Sequence, residues 1–563
     1  MRDDIDLIWP RLESIADEVA VTLVKTAFSH DVVECRDMAV AVCDEHGRLL
    51  AHSYLGATGH IGSVPGFMKA VLARYPAEHI SDGDAFVSND PWVASGHTPD
   101  VFIAVPVLHD ARLAAFIVTA VHHADIGGRA GAGNVREIYE EGLLLPVLRM
   151  QREHEEVKEL FDLIERNVRF GPNVIGDLRA QIASGNTGAH RLRELFVECD
   201  MTSLAEAGDI IVSRTETAMR RSIAELGVGT YSSTCLLDAV GSDGRPLQIS
   251  LRLTISEDGS LTADFSGTSQ QVLQPINCPL QYALAYVVVA TKLACRADVP
   301  TNDGAYRAIT VSAPEGTLLN PLYPAPVFWR LSVGLRVAEM ILRCLHQAAP
   351  DRVPAESGSL PVWQFYVSGI RRSGMPFSMH QHAFGGMGAR PARDGLDSVS
   401  FPYNVRDVSV EGTELESPIM ITRRELRTDS GGAGRWRGGM GEVVVLTAAP
   451  DGDLDPGQPL VFSGGAGRFR AGPSGVNGGC AGLPGAVLVD GVPVPIEMLG
   501  NSPHVEFAAG QELTLLLPGG GGYGPVEQRP AEALVLDDAD GVRAACGDGH
   551  PGHRSTSEEL RNG

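Results

Sequence analysis

Two short clusters of histidine and aspartate carry the strongest chemical signal in this sequence. The first is Gly96-His97-Thr98-Pro99-Asp100, and the second is His122-His123-Ala124-Asp125-Ile126-Gly127-Gly128. Imidazole and carboxylate together are typical ligands of divalent ions such as Zn, Mn or Fe. Such an ion lowers the pKa of a bound water towards about 7, which gives a nucleophile at neutral pH. The pattern therefore predicts a metal site with hydrolytic potential.

The first cluster is expected to form a turn. A proline disfavours the helical conformation in the residue before it, so the chain does not continue as a helix into Pro99. His97 and Asp100 can then converge from the two sides of the turn. A single His-x-x-Asp pattern is more often a satisfied surface or core pair than a metal site. The second cluster nearby is what favours the metal interpretation.

The second cluster follows an apolar stretch, residues 113–121, which predicts a strand. Because alternate residues of an extended chain share a face, His123 and Asp125 should point to one side and His122 to the other. At most one of the two histidines is therefore expected to bind the metal directly. The other would support the ligands or face the substrate, and the pattern leaves open which is which.

The surrounding elements predict an α+β fold. Its expected parts are a helix-rich N-terminal metal-bearing region with a mixed sheet, followed by β-rich middle and C-terminal regions. Periodicity of three and four residues predicts helices, and apolar or alternating runs predict strands. The predicted helical stretches are 5–30, 155–226, 279–296 and 329–347, and the predicted strand regions are 38–52, 101–108, 113–121, 231–265 and 414–517. The expected domains are 1–226, 227–410, 411–529 and a polar, partly ordered tail, 530–563.

Composition excludes several classes of function. The 563 residues contain 46 Lys and Arg against 70 Asp and Glu, a net charge of −24, which argues against a nucleic-acid binder. No apolar run reaches the roughly 18–20 residues of a membrane helix, and the acidic N-terminus is unlike a secretory signal. Nine cysteines without a C-x-x-C pattern predict reduced thiols. We therefore expect a cytoplasmic protein that contacts neither nucleic acid nor membrane.

Nucleotide-binding signals are weak in this chain. There is no P-loop pattern, and the glycine runs 431–439 and 519–522 do not lead into convincing helices. We expect these runs to form tight turns between strands. Glu140 and Glu141 are expected to be solvated acids.

Around the two clusters the sequence resembles the hydantoinase B/oxoprolinase family. The resemblance extends over about residues 10–525, and the matching stretches follow the order of the family. These stretches are 34–37 (ECRD), 60–63 (HIGS), 89–91 (NDP), 96–100 (GHTPD), 122–128 (HHADIGG), 140–143 (EEGL), 176–181 (GDLRAQ), 264–269 (DFSGTS), 302–304 (NDG), 314–316 (PEG), 429–439 (DSGGAGRWRGG) and 518–524 (PGGGGYG). The chain departs from the family pattern around Trp92–Ser95 and after Gly128, so the substrate is the least constrained part of the comparison.

The resemblance implies a two-component enzyme. The family includes B-type subunits of ATP-dependent N-methylhydantoin amidohydrolases, the C-terminal half of 5-oxoprolinases, and subunits of acetone and acetophenone carboxylases. A hydantoinase A-type partner with an actin/hexokinase-like fold would bind ATP and phosphorylate the substrate oxygen, and this chain would carry the metal in a hetero-oligomer. The metal ligands implied by the resemblance are Asp37, His97, Asp100 and His122. His123 or Asp125 is the candidate general base.

Three functions are consistent with this pattern. The first is the metal-containing subunit of an ATP-dependent cyclic-amide hydrolase that opens a phosphorylated hydantoin, lactam or oxoproline. The second is a subunit of an ATP-dependent ketone carboxylase, which would consume bicarbonate. The third is a non-catalytic scaffold for the ATPase subunit, against which the His97, Asp100, His122 and Asp125 set argues.

Overall fold

The computed structural model describes residues 5–129, 131, 135–295, 298, 300–542 and 544–545. The chain separates into two compact units, each assembled from several stretches of sequence. Unit 1 comprises residues 1–232, 251–330 and 404–406, and unit 2 comprises residues 233–250, 331–403 and 407–563. The domain boundaries expected from the sequence stay predictions, and most of the expected tail, 530–563, lies outside the described residues.

Unit 1 is built on a seven-stranded antiparallel sheet. Its strands are β1 (Met38–Asp44), β2 (Leu49–His52), β3 (Ala85–Ser88), β4 (Asp100–His109), β5 (Arg112–His122), β6 (Leu148–Arg152) and β7 (Glu155–Glu156). Their order in the sheet is β2-β1-β5-β4-β3-β6-β7. The hairpin of β4 and β5 lies at the centre, and the ends of these strands carry both predicted clusters.

Helices cover both faces of this sheet. The helices of unit 1 are α1 (Ile5–Thr26), α2 (His30–Val33), α3 (Thr58–Arg74), α4 (Lys158–Asn167), α5 (Gly171–Glu198), α6 (Ala205–Ala224), α7 (Leu280–Cys295) and α8 (Asp303–Arg307), with 3-10 turns at Ala77–His79 and Ile138–Glu140. Val40 and Val42 of β1 share a core with α1, α5 and α6. Ala39 and Ala41 face the other way and pack with Phe67 of α3. Burial on both faces explains why these strands are almost continuously apolar.

A second, four-stranded sheet follows in the chain. Its strands are β8 (Gly229–Val240), β9 (Pro246–Ile255), β10 (Leu261–Asp264) and β11 (Ile309–Ser312), in the order β11-β10-β9-β8. The β10–β11 pair is parallel, whereas β9–β10 is antiparallel. The predicted meander over 231–265 corresponds to β8, β9 and β10.

Unit 2 is rich in strands. They are β12 (Trp363–Ile370), β13 (Pro376–Ala383), β14 (Ile419–Leu426), β15 (Asp429–Gly432), β16 (Glu442–Ala448), β17 (Leu460–Gly465), β18 (Ala486–Val489), β19 (Val492–Pro493), β20 (His504–Phe507), β21 (Leu513–Leu516) and β22 (Ala544–Ala545). The sheet orders are β13-β12-β17-β20, β14-β16-β21-β18-β19 and β15-β22. Its helices are α9 (Leu331–Ala348), α10 (Val410–Glu416), α11 (Ile496–Leu499) and α12 (Ala531–Ala539), with a 3-10 turn at Val526–Gln528.

The glycine runs of unit 2 pack backbone against backbone. A Cβ atom on Gly386 would lie 1.8 Å from the carbonyl oxygen of Gly439, and one on Gly520 would lie 2.0 Å from that of Met387. Ordinary side chains cannot fit at such distances, so glycine is required for the close approach itself. The sequence predicts only that the glycine runs form turns, and it does not predict this close packing of one backbone against another.

The fold class predicted from the sequence, α+β, is confirmed. The N-terminal sheet was expected to be mixed, but its paired strands run antiparallel, both in the hairpins and in the pairs β1–β5 and β3–β6, whose strands are far apart in sequence. Among the residues that the structure describes, no helix has the length and apolar character needed to cross a bilayer. Among the described cysteines, seven are free thiols and Cys480 is disulfide-bonded, so the expectation of reduced cysteines is wrong for Cys480. Pairing of distant cysteines is set by the fold and cannot be deduced from spacing alone.

Candidate metal centre

Three neighbouring strands of unit 1 end at the same edge of the sheet and bring the predicted residues together. Asp100, the first residue of β4, lies opposite His122, the last residue of β5. The backbone N–H of His122 donates to the carbonyl of Asp37, the residue before β1, over 3.0 Å. The antiparallel register therefore aligns three side chains that are far apart in sequence.

His97, Asp100 and His122 form a compact cluster that could hold a metal ion. The Nε2 atom of His97 lies 2.7 Å from Oδ1 of Asp100, and Nδ1 of His122 lies 2.9 Å from the same oxygen. One ligand atom from each residue lies within 4.8 Å of the other two, and all three residues are buried. Two imidazoles and a carboxylate suit Zn, Mn or Fe.

The turn before β4 fixes the orientation of His97. Its Nδ1 atom is 2.9 Å from the backbone carbonyl of Phe328, to which it can only donate. Donation from Nδ1 leaves the lone pair on Nε2, which is the atom that faces Asp100. A ring nitrogen held by a carbonyl while the other faces the ion is the usual arrangement of a metal-binding histidine.

Asp37 and His60 extend the cluster. Asp37 is buried, with its carboxylate oxygens 3.9 Å from Nδ1 of His122 and 3.7 Å from Nδ1 of His60. His60 lies in the first turn of α3, and its Nε2 atom is 3.2 Å from Oδ2 of Asp100. Asp37 therefore lies next to the three-residue cluster, but its distances to the neighbouring histidines are longer than those between the cluster residues themselves.

A buried cation, Arg330, supports Asp100 from the other side. Its NH2 group donates to Oδ2 of Asp100 over 2.8 Å, and its Nε donates to the carbonyl of Ser95 over 2.9 Å. The hydroxyl of Ser95 also donates to Oδ2 of Asp100. The guanidinium lies 4.3 Å from the centre of the Tyr282 ring, so a cation–π contact adds to the ion pair.

The electrostatics favour the protonation states that a metal needs at His97 and Asp100, whereas at His122 they favour the protonated imidazole, which a metal would have to deprotonate. Burial, and then the charge of Arg330, lowers the pKa of His97 to about 3, so its imidazole is neutral at pH 7. Burial alone would raise the pKa of Asp100, but the neighbouring His60, His97 and Arg330 lower it well below the usual value. Burial would lower the pKa of His122, but its hydrogen bond to Asp100 raises it. A neutral imidazole beside a carboxylate is the form that binds metal.

Unsatisfied buried nitrogens support the fit to a metal. Within the part of the chain that the structure describes, Nε2 of His97 and both ring nitrogens of His60 make no hydrogen bond. A buried polar atom without a partner costs about 1–3 kcal/mol. The His97 atom points at the carboxylate of Asp100, where an ion would satisfy it.

His123 and Asp125 lie away from the cluster. His123 faces α5, where its Nε2 contacts Oε1 of Gln181 over 3.1 Å, so it points to the opposite face from His122. Asp125 accepts from the guanidinium and backbone N–H of Arg169 and from the N–H of Gly127. The proposed catalytic roles of both residues stay predictions.

Glu141 is fully buried, so the expectation of a solvated acid is wrong for this residue. Its Oε1 atom accepts from the backbone N–H groups of Val327 and Phe328, over 2.5 and 2.9 Å. Burial raises the pKa of Glu141 to about 8 despite these two hydrogen bonds. Glu140 is only half-buried, and its carboxylate lies 3.4 Å from Arg129.

Sequence reasoning missed two members of the site. His60 belongs to a stretch that carries the family resemblance, but no other histidine or acidic residue lies near it in the sequence at a spacing typical of metal ligands. Arg330 follows an apolar run far from both clusters, and nothing local marks it as the partner of Asp100. Only the folded chain brings these two residues to the strand ends.

An α+β chain with imidazoles and carboxylates buried at neighbouring strand ends is, by class, a candidate metalloenzyme. Residues 4–526 match the sequence profile of the family described as hydantoinase B/oxoprolinase. A protein of Pseudomonas sp. (strain NS671), named as a B-type subunit of a putative D-/L-hydantoinase, is 30% identical over 559 residues, covering 95% of this chain and 92% of its own. The chain belongs to the hydantoinase B/oxoprolinase family.

Two solved structures share the fold. The ATP-dependent caprolactamase from Pseudomonas jessenii superposes with a TM-score of 0.85 at 25% identity, over 100% of this chain and 98% of that chain. The nucleotide-free structure of an acetone carboxylase superposes with a TM-score of 0.81 at 18% identity, over 96% and 78% of the two chains. The second likeness is one of fold alone.

Proposed function

We propose that this chain is the metal-bearing subunit of an ATP-dependent hydrolase of cyclic amides of the hydantoin, lactam or oxoproline type. The observation that carries the proposal is the buried His97–Asp100–His122 cluster in a chain whose relatives over nearly the full length carry the names of a hydantoinase subunit and a caprolactamase. Amide carbonyls are poor electrophiles, so hydrolysis needs both an activated substrate and an activated water.

His97, Asp100 and His122 would hold a divalent ion, Zn, Mn or Fe, with Asp37 as a fourth ligand. When bound, such an ion supplies Lewis acidity and an activated water at neutral pH. Asp100 contributes the negative charge, and Arg330 and Ser95 keep its carboxylate oriented. The burial of all three cluster residues excludes bulk water, which strengthens their electrostatic interactions.

A general base would complete the chemistry, and His123 and Asp125 remain our candidates. The contacts favour His123, because its Nδ1 atom makes no hydrogen bond within the described residues and could accept a proton. Burial also lowers the pKa of His123, which keeps that nitrogen unprotonated at neutral pH. Asp125 is instead engaged by Arg169, which leaves it less able to accept a proton.

The partner in this proposal is a hydantoinase A-type subunit that binds ATP and phosphorylates the substrate oxygen. The word "subunit" in the name of the hydantoinase relative supports a hetero-oligomer. We propose a cytoplasmic location for the pair, where ATP is available to the partner subunit.

Reconstitution with the A-type partner tests the proposal. We expect ATP turnover coupled to ring opening of hydantoin, ε-caprolactam or 5-oxoproline only when both chains are present, and loss of ring opening with His97→Ala. Consumption of acetone or acetophenone that requires bicarbonate would identify a ketone carboxylase instead. Ring opening that persists with His97→Ala would contradict the metal role and indicate a scaffold.

A further inference from the structure

The segment 327–330 contacts two of the three cluster residues. Its Phe328 carbonyl accepts from Nδ1 of His97 over 2.9 Å, and its Arg330 side chain donates to Asp100 over 2.8 Å. The backbone path of this segment therefore determines where one cluster imidazole and the cluster carboxylate can lie.

Glu141 anchors the start of this segment. Its Oε1 atom accepts from the consecutive N–H groups of Val327 and Phe328 over 2.5 and 2.9 Å, and its side chain is fully buried. The backbone carbonyl of Glu141 also accepts from the hydroxyl of Thr98, which is the neighbour of His97 in the turn. One residue thus contacts both sequence segments that meet at His97.

We propose that Glu141 is a positioning residue of the metal centre: its carboxyl group holds Val327 and Phe328 so that the Phe328 carbonyl orients His97 and Arg330 reaches Asp100. The inference rests on the metal centre of the proposed function and assigns no contact between Glu141 and the ion. Two N–H donors that converge on one oxygen need an acceptor but no charge. A carboxamide can therefore replace the carboxylate, whereas an apolar side chain of similar length cannot.

Zn²⁺ affinity of the full-length chain tests this role directly. We compare the wild type, Glu141→Gln and Glu141→Met by competition with a chromophoric chelator, and we record the visible spectrum of the Co²⁺-loaded chains. Loss of an outer partner of a metal-binding histidine weakens metal binding by about 10–100-fold. We expect a loss of that size and an altered Co²⁺ spectrum for the Met variant, and binding within about threefold of the wild type for the Gln variant.

Glu140→Met is the matched control, because it makes the same substitution at the neighbouring acid, which is half-buried and lies 3.4 Å from the exposed Arg129. Its Zn²⁺ affinity should equal that of the wild type. If Glu141→Met does not fold, Glu141→Asp replaces it: this carboxylate is one methylene shorter and cannot reach both N–H groups, so we expect binding at least about fivefold weaker.

The outcomes distinguish the positioning role of Glu141 from the existence of the metal centre. A folded Glu141→Met chain that binds Zn²⁺ as tightly as the wild type would overturn the role of Glu141 and leave the metal centre intact. Equal losses for the Gln and Met variants would also overturn it, because charge rather than anchoring would then matter. Absence of Zn²⁺ binding by the wild type would overturn the metal centre itself.

Discussion

Replacing Arg330 by methionine should destabilise the metal-free protein by about 4 kcal/mol. The guanidinium of Arg330 and the carboxylate of Asp100 are 2.8 Å apart, and both side chains are fully buried. Removing one partner of such a pair leaves an uncompensated buried charge and typically costs about 3–5 kcal/mol. Methionine keeps much of the length of the side chain, so the loss measures charge and hydrogen bonding more than cavity formation.

Urea unfolding followed by circular dichroism measures this loss, in chelator and in excess Zn²⁺. The destabilisation should be smaller with Zn²⁺, because the ion then faces the carboxylate of Asp100 in both proteins. Arg11→Met is the control, since Arg11 forms an exposed pair with Glu198 and such pairs contribute about 1 kcal/mol or less. A loss below about 1 kcal/mol for Arg330→Met in chelator would refute the assignment of a buried, unscreened ion pair.

Two further predictions concern unit 2. Burial would raise the pKa of Glu356, but the charges of Arg468 and Arg343 lower it from 4.5 to about 2; this stabilisation is therefore present above pH 4.5 and lost as the pH falls towards 2. On the order of 3 kcal/mol of acid-dependent stability should disappear in Glu356→Gln, measured as the slope of the unfolding free energy against pH, and an unchanged slope would contradict the assignment. Gly386→Ala should cost more than about 4 kcal/mol or prevent folding, because the new Cβ would lie 1.8 Å from the Gly439 carbonyl oxygen. Gly510→Ala, where a Cβ meets no atom within 4 Å, should change the unfolding midpoint little, and similar effects at the two positions would contradict the packing argument.

The sequence is informative where a local pattern has one structural solution. The run 113–121 predicts a strand because a chain buried on both faces must be apolar, and the structure has β5 over Arg112–His122. Alternation along that strand also places His122 and His123 on opposite faces, as the structure shows. These inferences need only the rule that successive side chains of an extended chain point to opposite faces.

The remaining features depend on contacts between distant parts of the chain. The alignment of Asp100 with His122 is a matter of strand register, which no single strand encodes. Glu141 is buried and accepts a hydrogen bond from the N–H of Val327, which is 186 residues further along the chain, so nothing near Glu141 in the sequence indicates this contact. The glycine runs are locally compatible with turns, and only the folded chain shows their backbones in contact. Such features become visible when the partner segment is known.

We propose that this chain binds a catalytic divalent metal through His97, Asp100 and His122. Metal analysis of the purified full-length chain tests it most directly, with His97→Ala as the comparison. We predict about one Zn, Mn or Fe ion per wild-type chain and a loss of most of that metal in His97→Ala. Less than about 0.1 equivalent in the wild type after incubation with each ion, or metal content unchanged by His97→Ala, would show that these residues do not form a metal site.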